Sequence, residues 1–536
     1  VQTDVRSGTD YAFNADYRVG VAESGELHLH GMFVRTDRLQ DEDSIEYRGG
    51  IQNNANLETV NDNDIDIQTD NYVIGAGLTL AMMGGETEFR LDRAGISDDQ
   101  FEFEEEFEYL RDTIPFPEDD RFTREVTDLL IEDTDTSGEI THERDMGDGK
   151  VKFGLLAVLK ERDTRILRMD LPNNRYRVNI PNAPGVRPQI PGPTQPLVPA
   201  TGGLNTIEET RLEPFVKFSG TADAIEWETG LRYEHTDTEI NDLTVAPALA
   251  RSEKSYGFFL PSAHLRWNLD DANRFTASIA RTVRRPNFDA ISPALLEAEL
   301  GDNDLQGNPA LEPEEAWGLD LGFERRLGEQ GIVGLNLFYR DIQNLVEVAN
   351  TGEPGSEDDI PNNRRAWIFE PRNTGDGQVW GAEFDLSTPL SAFGMDNTGV
   401  FVNYTWLDSE VQDDFGTRRF NNQSDYVYNV GFIQELPTLE ASFGVSFRKQ
   451  GDAFSRVVGE EVRTSYDGDL EAFVEKRFGE AWAVRLTGVN LINQSKDEVF
   501  DKFTLVQDQI SRAYDEYELE TEIGGRAVQL IVRYQY

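Results

Sequence analysis

Asp133, Asp135 and Ser137 stand two residues apart and Gly138 follows them. Oxygen ligands at positions 1, 3 and 5 with glycine at 6 open a calcium-binding loop, which closes on a bidentate glutamate at position 12. Here position 12 is Arg144, and Glu143 falls one residue early. The same stretch from Glu139 to Met146 also reads as a strand, so the two readings compete. Calcium at Asp133, Asp135 and Ser137 is the one metal expectation, and no other cofactor is expected. Asp62, Asp64 and Asp66 form a similar acidic patch, best read as a solvated loop. The five histidines are His28, His30, His142, His235 and His264, and there is no cysteine. His28 and His30 share one face of a strand, where a polar wall is the better reading than a transition-metal site. No Gly-x-Ser-x-Gly and no Ser/His/Asp arrangement is present, so covalent catalysis is not expected. The remaining chemistry is recognition. Tyr109, Phe116, Tyr176 and Trp367 lie in long polar stretches, where rings can stack on sugars or aromatic ligands or pack within a loop. Arg364 and Arg365 beside Trp367 make the best basic–aromatic cluster. Tyr109, Tyr176, Arg364, Arg365 and Trp367 are the candidate ligand contacts.

The elements that must position these residues are strands. In Gly524–Tyr536, Val528, Leu530, Val532, Tyr534 and Tyr536 fall on one side and Gln529, Arg533 and Gln535 on the other, with Ile531 the one mismatch. Alternation at period 2 marks a strand with one apolar face. Tyr11–Val19, Leu27–Phe33, Tyr72–Met82 and Glu86–Ile96 follow the same rule, and similar hairpins recur to the end of the chain. Tight turns such as Met83-Gly84-Gly85 alternate with long polar intervals. A transmembrane barrel has this asymmetry, with tight periplasmic turns and long extracellular loops. The expected fold is therefore all-β: an antiparallel transmembrane barrel over residues 1–536, with extracellular loops at 38–65, 97–138, 163–206, 285–314, 344–376 and 493–523. About 19 strands are expected, the first running toward the periplasm. An even number with both ends in the periplasm is the rule for such barrels, so completion to 22 is the expectation. Tyr534 and Tyr536 would close the barrel.

Bulk properties agree. The net charge of the 536 residues is −50, which repels phosphates and argues against nucleic acid as a partner. The mean hydropathy is −0.53 and no run of about 20 apolar residues occurs, so no membrane helix is expected. Barrel strands alternate lipid-facing with lumen-facing residues and average out to polar. No leader peptide is visible at Val1. The interval Asp163–Thr206 holds eight of the 22 prolines; such a segment is stiff and extended, and it is read either as a loop folded over the barrel mouth or as a disordered one.

The stretch Arg281–Asn344 carries a further signal. Arg285-Pro286-Asn287-Phe288, Gly307-Asn308-Pro309, Leu311, Pro313-Glu314, Phe338-Tyr339 and Ile342 occur in that order. Asn373–Asp385 (NTGDGQVWGAEFD) and Gly488-Val489-Asn490-Leu491 follow. Together these resemble the C-terminal half of TonB-dependent receptors, and the resemblance covers roughly Tyr11 to Tyr536. Proline cannot donate to a ladder, so Pro286, Pro309 and Pro313 mark strand ends, and these motifs are expected to shape a rim rather than touch ligand. The resemblance implies a Gram-negative outer membrane, contact with lipid and lipopolysaccharide, and energised uptake of a scarce nutrient. A carbohydrate or other organic compound is the first expectation and a siderophore–iron complex the alternative. Implied partners are a TonB-type inner-membrane complex and a small-molecule or oligosaccharide ligand, with a surface lipoprotein or surface-layer partner as a further option. The family's plug domain and TonB box have no counterpart before Tyr11, so both are expected to lie outside this chain. A barrel of receptor descent acting as a surface anchor, or a passive porin, is the reading of another class.

Overall fold

The computed structural model describes residues 2–21, 24–47, 57–108, 121–169, 175–177, 196–296, 303–355, 367–413, 415–503, 505–514 and 516–535. Nineteen long strands run antiparallel, each hydrogen-bonded to the next. They are β1 (Gln2–Val21), β2 (Gly25–Tyr47), β3 (Leu57–Met82), β4 (Gly85–Glu108), β5 (Arg121–Met146), β6 (Gly149–Met169) and β7 (Leu197–Ala222). Next come β8 (Ile225–Asp242), β9 (Arg251–Asn268), β10 (Asn273–Arg284), β11 (Glu314–Leu327), β12 (Gly331–Pro354) and β13 (Trp367–Leu390). The last are β14 (Met395–Asp413), β15 (Tyr426–Leu436), β16 (Ala441–Gln450), β17 (Asp469–Phe478), β18 (Trp482–Val489) and β19 (Ala527–Tyr534). Four short strands complete a 23-stranded sheet, and a separate four-stranded sheet is built from the loops that follow β16 and β18. Among the described residues, β1 pairs only with β2 and β19 only with β18.

The nine odd-to-even connections are two to four residues long, whereas the even-to-odd ones are eight or more. The tight ends need left-handed backbone: Met83 and Gly84 have φ of 55° and 75°, as a two-residue hairpin turn that matches strand twist requires. Register then fixes the faces. Phe13, Phe33 and Tyr72 lie side by side across β1–β3, and Leu486 faces Leu530 across β18–β19. Phe13 is 67% exposed, Leu91 61% and Leu530 64%. A continuous apolar belt of this size is stable against lipid and not against water.

The strands exceed the membrane. Spanning takes about 9–11 residues, yet β3 and β5 have 26 each and β2 has 23. The intervals read as loops at 38–65 and 97–138 are thus largely strand, with 38–47, 57–65, 97–108 and 121–138 lying in β2–β5, and both ends of the interval 163–206 are strand too, 163–169 in β6 and 197–206 in β7. The correction has a simple cause. Above the bilayer neither face meets lipid, so the ladder continues with apolar alternation only in patches, such as Phe101, Phe103 and Phe107 of β4, among many acidic residues. Within the interval 285–314 the sequence forms a one-turn helix, α1 (Phe288–Ile291).

Candidate functional site

The segment between β10 and β11 folds back onto the inner wall of the mouth. α1 is capped by Asn287, whose side-chain oxygen accepts from the Ala290 amide at 3.0 Å. Ile291 from α1 and Leu311 beyond it are buried against Ile207 of β7 and Ile240 of β8. Both wall residues alternate with the outward set, so this small core lies on the lumen side. Charge pins the same segment. Arg285 pairs with Glu234, which is 3% exposed. Arg162 is held by Asp133 at 2.6 Å, pairs with Asp289, and lies over the Phe288 ring at 5.6 Å. A methyl group on Gly307 would lie 2.0 Å from the Ser292 carbonyl oxygen, so the close approach there requires glycine. Asn308 Nδ2 donates to the Pro371 carbonyl at 3.0 Å, and Asn373 accepts from the Glu312 amide and donates to its carbonyl, both at 2.9 Å. The motif residues therefore build an inner latch.

Next to the latch, Glu209, Lys254 and Tyr256 line a cavity of about 20 Å³, room for one water. Burial raises the Glu209 carboxyl above its usual range and lowers the Lys254 ammonium below its own. A second buried knot ties the upper ends of β12 and β14 to the loops beyond. Arg418 binds Glu347 and Asp413, both at 2.7 Å, and Arg456 binds Asp413 at 2.9 Å. Burial works to raise Asp413, and the two guanidiniums outweigh it, so its carboxyl ends below the ordinary value.

The overshooting ends of β2–β5 are acidic on both faces. Outside, carboxylate oxygens of Asp41, Asp43 and Asp62 come within 4.8 Å of one another. Inside, Asn61 donates to Glu104 at 2.5 Å and Asn63 to Glu102 at 2.8 Å. The Glu104 carboxyl is pushed up to about 7, first by burial, which the Asn61 hydrogen bond partly offsets, and further by Glu125, Glu102 and Glu42.

The candidate residues chosen from sequence scatter. Asp133, Asp135 and Ser137 occupy alternate positions of strand β5, not a loop. They face inward, where Arg162 and Lys160 (3.5 Å from Asp135) supply the positive charge. Tyr176 lies in the short strand Arg175–Arg177, opposite Phe122 of β5. Trp367 opens β13, and its amide donates to Asn303 Oδ1 at 2.9 Å. Tyr109, Phe116, Arg364, Arg365 and Tyr536 lie outside the described residues. Tyr534 packs on Trp482 with ring centroids 4.7 Å apart. Arg162 and Glu104 are central to the mouth and carry no sequence signal; only register brings Arg162 to Asp133.

This arrangement of an apolar outer belt, polar inner wall, tight turns at one end and folded segments at the other defines an outer-membrane receptor barrel. Residues 5–491 match the family described as TonB dependent receptor-like, beta-barrel, and the chain belongs to that family. Its place is accordingly the outer membrane of a Gram-negative bacterium. Among solved structures, it is similar to a complex of FpvAI with pyocin S2, with a TM-score of 0.57, 12% identity and coverage of 99% of this chain and 72% of that one. It is also similar to the copper transporter OprC, with a TM-score of 0.55, 12% identity and coverage of 99% and 80%. At this identity the likeness is one of fold. A curated relative, the iron-regulated outer membrane virulence protein of Vibrio cholerae serotype O1, is 26% identical over 163 residues. That match spans 30% of this chain and 24% of the relative.

Proposed function

We propose that this barrel works in energised uptake of a scarce nutrient, with a plug closing its lumen and a TonB-type inner-membrane complex supplying the energy. The carrying observation is the electrostatics of the mouth. Its inner carboxylates at Glu102 and Glu104 lie in an acidic projection, while Arg162, Arg285, Arg418 and Arg456 are each engaged by acids of the fold. Such a mouth repels anionic chelates and admits neutral or cationic ligands. Neutral organic nutrients, carbohydrates among them, fit that description. A second reading, an iron complex, is favoured by the iron-regulated relative. The ligand contacts proposed for either are Tyr109, Tyr176, Arg364, Arg365 and Trp367.

The gated reading is tested by conductance. A barrel of 22 strands leaves a wide lumen unless it is plugged. Full-length protein in a planar bilayer is expected to stay closed and to open when its plug is deleted. Large, steady channels from intact protein would establish a porin instead. Closed behaviour with no energy-dependent uptake of any nutrient would favour a surface anchor.

A further inference from the structure

His28 and His30 sit two residues apart on the lumen-facing side of β2 and present their rings to each other, centroids 5.2 Å apart and planes tilted by 33°. Each ring has a carboxylate from another strand beside it, hydrogen-bonded to His28 and in charge contact with His30. His28 Nε2 lies 2.5 Å from Asp16 Oδ2 on β1, and His30 Nε2 lies 3.2 Å from Asp92 Oδ1 on β4. The second contact reaches across β3, and glycine makes it possible. Gly75 stands opposite His30 on one side and Asp92 on the other. A methyl group there would fall 2.1 Å from the Asp92 oxygen and 2.4 Å from the His30 ring. Gly77 stands likewise opposite His28. The neighbouring cations are offset, since Arg18 lies 3.3 Å from Asp16 and Arg90 lies 3.2 Å from Glu88.

A carboxylate on one ring nitrogen fixes the tautomer and leaves the other nitrogen with its lone pair. Metal-binding imidazoles are held in this way, with the carboxylate behind the ring and the metal in front. Here the front nitrogen is Nδ1 in both rings. His30 Nδ1 is shielded from solvent and has no hydrogen-bond partner, which leaves a buried acceptor uncompensated. We infer that the His28–His30 pair is a site for a divalent first-row transition metal, held by the two Nδ1 atoms with its other positions open to water or a chelating ligand. Imidazole nitrogen suits Cu²⁺, Zn²⁺ and Ni²⁺, and affinity for such ligands peaks at Cu²⁺. Magnesium and calcium, which prefer oxygen, do not fit. This site stands apart from the reading of the nutrient, because binding is measured without transport.

The test uses tag-free, full-length protein in detergent, stripped of metal and titrated with Cu²⁺ while low-temperature electron paramagnetic resonance is recorded. One equivalent is expected to bind with hyperfine structure from two nitrogens. His28→Ala and His30→Ala should each weaken binding at least about tenfold and leave one nitrogen. Asp16→Asn should weaken it about 10–100-fold, the usual effect of losing an orienting partner, with both nitrogens kept. His264→Ala should change nothing. His28→Gln and His30→Gln, which keep polar bulk on the strand, should behave as the alanine variants do. A copper signal that survives replacement of both histidines, or no stoichiometric binding at all, would overturn the assignment and leave two imidazole–carboxylate ion pairs of the barrel wall.

Discussion

Glu104 should make the extracellular projection of β2–β5 sensitive to pH. Its carboxyl is raised from 4.5 to about 7. A raised carboxyl binds its proton more tightly in the folded state. Its stabilising effect is therefore complete below pH 4.5 and is lost as pH rises through 7. The difference of about 2.5 units corresponds to about 3 kcal/mol at pH 8, at about 1.4 kcal/mol per unit. Glu104→Gln keeps the shape and removes the charge. At pH 8 the variant should hold the projection more firmly by up to about 3 kcal/mol; at pH 5 the gain should fall below about 1 kcal/mol. The assay is hydrogen exchange of peptides covering 57–66 and 98–108, corrected for the intrinsic rate at each pH. Protection in the variant should exceed that of the parent by about two orders of magnitude at pH 8 and converge with it toward pH 4. Equal protection in the two proteins at pH 8 would refute the reasoning, because it would mean that Glu104 is hydrated or compensated when ionised.

Four other substitutions test the packing. Leu530→Arg places a charge on the lipid face and should cost about 2–4 kcal/mol at the midplane, while Gln529→Arg on the opposite face should be tolerated; equal folding yields and unfolding midpoints for the two would reverse the faces. Arg285→Met leaves Glu234 buried without its partner and should destabilise the latch by about 3–5 kcal/mol, read as faster exchange or proteolysis within 285–313 with the barrel belt unchanged. Gly307→Ala should free the same segment by driving its methyl group into the Ser292 carbonyl, and it fails as a prediction if protection of α1 matches the parent.

The membrane-spanning part was legible in the sequence because lipid enforces a pattern: Val528, Leu530, Val532 and Tyr534 announce their face by alternation, and the 19-strand count follows from such runs. The projection was not. In Asp37–Tyr47 and Leu57–Asp66 the few apolar residues, Leu39, Ile45, Tyr47, Leu57, Val60 and Ile65, are diluted by acids and amides, so the alternation is too sparse to distinguish this ladder from a solvated loop. The motif residues Arg285, Gly307, Asn308 and Asn373 were visible as a set, and their expected structural role agrees with the latch they form. What they pack against was hidden, because Ile207 and Ile240 lie on other strands and meet them only through register. The surroundings of Asp133 and Asp135 were hidden in the same way: they have calcium-loop spacing, but their charge partners Arg162 and Lys160 are neighbours only once β6 is paired.

The part of β2–β5 that rises above the bilayer has a consequence for how this surface can change over generations. There the backbone supplies its own hydrogen bonds, with Asp41 opposite Asp64 and Asp64 opposite Phe103, and the register of β2 with β3 holds as far as Glu46. Neither face has to satisfy lipid, and only a small cluster at Leu57, Phe107 and Phe122 has to satisfy a core. Most side chains on this palisade can therefore be exchanged without touching the belt below. Substitutions can rewrite the outermost surface while the spanning wall stays fixed.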